Sequence, residues 1–156
     1  MELIVHGCGP AFDMEKFNPI TSRSPLQGKP NGGLWASPVD SDYGWKKWCQ
    51  IQSFNLDKLS ESFEIGIKGN IYKIDNKRDL LDLPLVLPPR FQQMRVPTDY
   101  PLLFHVPDFK KILSDGIDAI HLTEKGECCT RLSEPNLYGW DCECVLILNK
   151  DCIKVS

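Results

Sequence analysis

Residues 32–49 read GGLWASPVDSDYGWKKWC, and the parsing of this stretch decides the fold. Gly32-Gly33 is turn chemistry. Leu34 to Ser37 is a short apolar run of strand type. Pro38, Asp40 and Ser41 then break it into a loop. From Asp42 to Phe54 the pattern turns helical, because Trp45, Trp48 and Cys49 recur at i, i+3 and i+4, with Gln52 one turn after Trp48. Ser41 or Asp42 is placed to cap that helix. Three of the chain's four tryptophans (Trp35, Trp45 and Trp48) lie in this strand–loop–helix unit. Rings of that size either fill a core or wall a pocket for a flat ligand.

Outward from this unit the chain alternates short strands with irregular segments. Upstream, Leu3-Ile4-Val5 forms a strand that ends at His6-Gly7, and residues 8–34 are loop with one short helix near Met14 to Phe17. Downstream, Phe63, Ile65 and Ile67 alternate with Glu64 and Gly66, a half-buried strand over Ser62 to Ile67. Gly69-Asn70 is a turn and Ile71 to Ile74 another strand, so the two pair as a hairpin. Asn76 to Leu83 is a short helix capped by Asp75 or Asn76. Six prolines between residues 84 and 107 rule out a long regular element there. That stretch is a meander ordered by Phe91, Tyr100 and Phe104. Asp108 to Ser114 is a helix, Ile117 to Leu122 a strand, and residues 123–139 a loop. Asp141 to Leu148 is the strongest strand, and Lys150 to Val155 an edge strand. Many short strands with few short helices indicate an α+β fold of mostly antiparallel sheets, not an alternating βαβ fold.

The chain has 156 residues, which suits one domain with its own core. Its net charge of -3 is not that of a nucleic-acid footprint, which needs a basic face. No run approaches the roughly 18 to 20 apolar residues of a membrane span. MELIVHG has no signal-peptide pattern, and seven cysteines are an odd number, so reduced thiols in a cytoplasm are expected. No C-x-x-C pair marks a zinc site.

Glu143 shares a strand register with Val145 and Ile147, and Asp141 follows the same alternation. A carboxylate on a core-facing register lies at the rim, is paired, or is kept for function. Taken with LIVHG and the Trp-rich unit, GWDCECVLILN completes a pattern. It resembles the diphtheria-toxin and poly(ADP-ribose) polymerase type of ADP-ribosyltransferase: His-Gly closing a first strand, a Gly-Leu-aromatic strand running into a helix that ends in aromatic-Cys, then an acidic residue opening a late strand. Two spacings carry an insertion, and tryptophan stands where the family has tyrosine.

The resemblance implies split β-sheets, NAD as co-substrate, and transfer of a single ADP-ribose to a macromolecular acceptor, protein rather than nucleic acid. It implies a bacterial or phage effector acting in the cytoplasm. It gives Glu143 the role of stabilising the oxocarbenium-like ribose and His6 that of orienting the dinucleotide. Gly7 meets the carboxamide, with Ser37 or Ser41 supplying a hydroxyl. Gly33, Trp35, Trp45 and Trp48 complete the cofactor site, with Trp35 and Trp48 or Trp45 as nicotinamide walls. Asp141 competes with Glu143 for the carboxylate role. Two other readings stand beside this one: a non-enzymatic binding or inhibitor protein on a similar fold, and a thiol or metal enzyme using Cys8, Cys128 or Cys144 with His6, His105 or His121.

Overall fold

The computed structural model describes residues 1–23 and 28–154. The main strands are β1 (Glu2–His6), β4 (Leu34–Pro38), β5 (Ser62–Ile67), β6 (Ile71–Ile74), β9 (Ala119–Leu122), β10 (Cys144–Ile147) and β11 (Ile153–Lys154). They form one seven-stranded sheet in the order β11-β5-β1-β4-β10-β9-β6. Two-residue strands make two satellite pairs, β2 (Ser22–Arg23) with β3 (Pro30–Asn31) and β7 (Leu85–Val86) with β8 (Val106–Pro107). Among the described residues four α-helices accompany the strands: α1 (Trp45–Gln52), α2 (Lys77–Leu81), α3 (Phe109–Ser114) and α4 (Glu124–Thr130). The class is α+β and mostly antiparallel, as the sequence predicts; among the described residues only β6 with β9 is a parallel pair.

The tryptophan-bearing strand is the hinge of the sheet. Ser37 and Pro38 of β4 pair with β1, whereas Leu34 to Ala36 pair with β10. The alternation of β4 sorts its side chains between two cores. Trp35 packs with Trp140, Phe109, Ile112, Ile120, Cys144 and Leu146 on one face. Ala36 packs with Leu3, Val5, Ile65, Val145 and Ile147 on the other.

Several expectations are corrected. β5 and β6 do not form a hairpin. β5 pairs with β1 and β11, and β6 crosses to the far edge beside β9. Asp118 explains the crossing: its carboxylate accepts from Asn70 N at 2.8 Å, and its own N donates to Asn70 O at 2.9 Å. Those bonds spend the turn on β9 instead of on the return to β5. Helix α1 begins later than Ser41 or Asp42 would set it, with Gly44 as N-cap and no side-chain cap. Ser37 Oγ has taken Trp45 N at 2.9 Å, and Ser41 Oγ donates elsewhere.

Residues 123–139 are not all loop, since α4 starts where Thr123 Oγ1 accepts from Gly126 N at 3.0 Å. Gly126 hid that helix from propensity, yet a Cβ there would collide with the Ile74 carbonyl. Between residues 84 and 107, Phe91 and Phe104 stack at 4.6 Å as expected of ordering residues, whereas Tyr100 is exposed. Of the C-terminal edge strand, Ile153 and Lys154 are strand, Lys150–Cys152 is a 3₁₀ turn, and Val155 lies outside the described residues. No helix among the described residues is long and apolar enough to cross a membrane.

Candidate functional site

β1 and β4 run antiparallel, with Leu3 opposite Pro38 and Ile4 opposite Ser37. Ile4 and His6 therefore emerge on the same face as Trp35 and Ser37. A cleft of about 230 Å³ opens there. His6, Trp35, Ser37 and Trp45 line it, joined by Lys29, Trp140, Asp141, Cys142 and Cys144. A second cleft of about 390 Å³ continues from it and shares Ile4, His6, Ser37 and Trp45 as common walls. Its lining also includes Asp42, Lys46, Lys47 and Gln50. Neither lysine forms an ion pair or a side-chain hydrogen bond among the described residues; at the helix N-terminus beside them the N-cap Gly44 has no side chain, and Ser37 Oγ accepts from Trp45 N.

The four tryptophans form two pairs. Trp35 meets Trp140 edge-on at 4.7 Å, with the Lys29 ammonium 5.7 Å from its ring centre. Trp45 and Trp48 stack at 5.0 Å, and Phe54 closes on both rings edge-on. Trp48 thus backs Trp45 and does not reach the cleft. Trp140 was not singled out from the sequence, although it is the fourth tryptophan and precedes Asp141 directly. Lys29 was missed as well; it sits in the Lys-Pro-Asn-Gly-Gly run that introduces the motif.

Gly7 and Gly33 hold structure near the cleft without lining it. Gly7 has φ +76 and donates to the Glu61 carbonyl at 2.8 Å. Gly33, at φ +77, passes so close to β10 that a Cβ would stand 2.9 Å from the Ile147 carbonyl. Both φ values favour glycine, and at Gly33 the close approach of β10 adds a clash for any side chain.

His6 sits at the junction of the two clefts. Its Nδ1 is buried with no hydrogen-bond partner. Burial is the main force lowering its pKa from 6.5; hydrogen bonding to the Leu59 backbone opposes the shift, and the charge of Lys46 adds to it. The ring is therefore neutral at pH 7 and keeps an unused polar atom.

Asp141 and Glu143 part company. Regular strand begins only at Cys144; Glu143 still meets His121, the cross-strand partner of Val145, whereas Asp141 leaves the alternation. Asp141 lines the first cleft. Glu143 lies on the opposite side of the sheet, where Oε1 meets His121 Nε2 at 2.8 Å and Oε2 accepts from Ser41 Oγ at 2.6 Å. Its backbone ties down the same loop, with N donating to the Tyr43 carbonyl at 3.0 Å. Glu143 is thus paired, one of the three outcomes expected for a carboxylate in that register. The group is not a nucleophilic triad. There the imidazole stands between hydroxyl and acid, whereas here the carboxylate stands between hydroxyl and imidazole.

Burial keeps the thiols of the cleft protonated. Burial, then repulsion from Asp141, pushes Cys142 up to about 12, and burial raises Cys144 well above its ordinary range. Cys128 is also raised, by burial and then by the neighbouring Glu127. Neutral thiols are weak nucleophiles. No cysteine is hydrogen-bonded to a histidine among the described residues, and no cluster of three or more metal-ligating side chains occurs there. No family model, curated protein or solved structure proves detectably similar to the chain.

Proposed function

We propose that the chain binds NAD across the paired clefts and cleaves its nicotinamide–ribose bond, passing ADP-ribose to a macromolecular acceptor. One observation carries the reading: an aromatic cavity and a lysine-bearing cavity meet at His6. The first is aromatic and holds Asp141 together with Lys29; the second holds Lys46 and Lys47, which make no ion pair among the described residues, together with the single carboxylate of Asp42. A dinucleotide has that same polarity. Its flat nicotinamide suits the indole walls Trp35 and Trp45, and its pyrophosphate suits Lys46 and Lys47. The orphaned Nδ1 of His6 is available to a ribose hydroxyl between them.

Asp141 takes the carboxylate role in this reading. As the C1′–N bond breaks, nicotinamide leaves as a neutral molecule with the bonding electrons, and positive charge develops on the ribose. A carboxylate fixed beside that charge stabilises the transition state, as in glycoside hydrolysis. The acceptor nucleophile then bonds to C1′. The buried thiols stay protonated and out of the way. Glu143 acts at one remove, holding the Ser41–Tyr43 loop that leads into Trp45.

The test is release of free nicotinamide from NAD by the purified protein, with and without a cell lysate. Release by wild type and not by Asp141→Asn supports the reading. A thermal shift with NAD but no release under either condition replaces it with a binding protein on this fold. No shift and no release removes NAD altogether.

A further inference from the structure

Among the residues lining the first cleft, Lys29 and Asp141 carry charge, one of each sign. Burial keeps His6, Cys142 and Cys144 neutral beside them at pH 7. The two charges balance, yet they do not meet. Neither makes an ion pair among the described residues, and the Lys29 ammonium stands over the Trp35 ring instead, 5.7 Å from its centre. Arg131, a cation whose charge reaches Asp141, is already paired with Glu127 at 2.8 Å. Lys29 and Asp141 both act on the thiols of Cys142 and Cys144, so both stand close to that wall of the cleft.

Both charged side chains are half-buried. An ammonium and a carboxylate held apart in a space of about 230 Å³ each lack a counter-ion. Partly buried charge without a partner is costly. A ligand that brings an anion to Lys29 and a cation to Asp141 recovers that cost through charge-assisted bonds at both ends. The indole walls Trp35 and Trp45 set its shape, which is a flat ring.

We infer that the first cleft is a site for a pyridinium carboxylate, so that the dinucleotide it prefers carries nicotinate in place of nicotinamide. The ring assignment rests on this cleft alone; that the ring arrives on a dinucleotide rests on the NAD reading above. In either dinucleotide the ring nitrogen is positive and suits Asp141. The two differ at Lys29, which has three donors and no acceptor. A carboxylate meets those donors with two charged acceptors. A carboxamide meets them with one neutral acceptor and an NH2 group that cannot bond to an ammonium. A free aromatic amino acid fits less well, because both of its charges hang on one carbon, whereas Lys29 and Asp141 do not stand as a pair. Cleavage then follows the course given above. The C1′–N bond breaks, its electron pair stays on the ring nitrogen, and nicotinate leaves as an anion. The acceptor nucleophile bonds to C1′ and gives its proton to solvent.

The probes are N-methylnicotinate, which is the zwitterion, N-methylnicotinamide, which is the cation, and L-tryptophan, each titrated calorimetrically at low salt. Wild type binds N-methylnicotinate about tenfold more tightly than N-methylnicotinamide, the worth of one charge-assisted bond. Lys29→Gln removes that preference, and Lys29→Arg keeps it, which shows that the loss is one of charge and not of folding. Asp141→Asn weakens both pyridinium probes by a similar factor, because both carry the ring charge. Equal affinity of wild type for the two pyridinium probes, binding of neither, a preference that survives in Lys29→Gln, or tighter binding of L-tryptophan overturns the proposal. Nicotinate adenine dinucleotide and NAD, compared for release of their free rings, separate the two readings. Release from NAD without the probe preference overturns the nicotinate assignment alone. The probe preference without release from either dinucleotide supports the ring site and removes the cleavage reading.

Discussion

Asp141 and Glu143 are two residues apart, both acidic, and both at the mouth of the same strand. The fold gives them opposite environments. Asp141 lines an aromatic cleft and has no hydrogen bond or ion pair of its own among the described residues. Glu143 is spent on His121 and Ser41, across the sheet. A carboxylate left unpaired beside a cavity is available for chemistry. One that satisfies two neighbours is a structural tie, and removing it leaves those neighbours unpaired. The difference arises from the bend at Cys142 and Glu143, which breaks the alternation before Asp141.

The largest expected effect tests that contrast directly. Asp141→Asn lowers the rate of NAD cleavage about a hundredfold to a thousandfold, the usual worth of a preorganised electrostatic group. Its melting temperature stays within about a degree of wild type, because no partner is lost. Glu143→Ala does the reverse. It orphans Ser41 and His121 and costs about 1 to 3 kcal/mol. For a chain of this size each kcal/mol lowers Tm by about 2 to 4 °C. Its cleavage rate per folded molecule remains within a few-fold of wild type. Loss of turnover in Glu143→Gln with an unchanged Tm would hand the catalytic role to Glu143.

Elements whose instructions are local were legible in the sequence. β5 and β6 appear at their expected bounds because their alternation is confined to six and four residues. Helix α2 carries its own capping box, Asn76 with Asp79. Partnership was not legible. Asp118, far along the chain, captures Asn70 and turns an apparent hairpin into a crossover, and no local pattern encodes that bond. The site divided along the same line. His6, Trp35, Ser37 and Trp45 were singled out and meet in one cleft, because β1 and β4 are adjacent and their alternation is regular. Trp140 and Lys29 were overlooked because they come from irregular chain. Trp48 was placed with Trp45 by helical spacing, but that spacing says that two rings are neighbours, not which of them faces outward.

The second cleft gives a smaller effect. The double variant Lys46→Ala and Lys47→Ala weakens NAD binding about tenfold at low salt, as loss of charge-assisted phosphate contacts requires. Both lysines are near the surface, so the penalty shrinks as ionic strength rises and the Debye length falls below about 8 Å. Titration of NAD at two salt concentrations reads this out. A penalty independent of salt would mean that the lysines act through helix α1 and not through the pyrophosphate.

The smallest effect belongs to His6 and is read in pH. Burial lowers its pKa in the folded chain below the 6.5 of the unfolded one. As pH falls below about 6.5 the unfolded chain takes up the proton first, so stability declines until the folded pKa is passed and then levels off. His6→Gln removes the titrating group. Between about pH 5 and 8 its melting temperature therefore falls less steeply on the acid side than that of wild type. Saturating NAD should steepen the wild-type decline, because a ligand hydroxyl donating to the orphaned Nδ1 stabilises the neutral ring and protonation removes that acceptor. Parallel pH profiles for wild type and variant, with and without NAD, would show that His6 neither titrates in this range nor touches the dinucleotide.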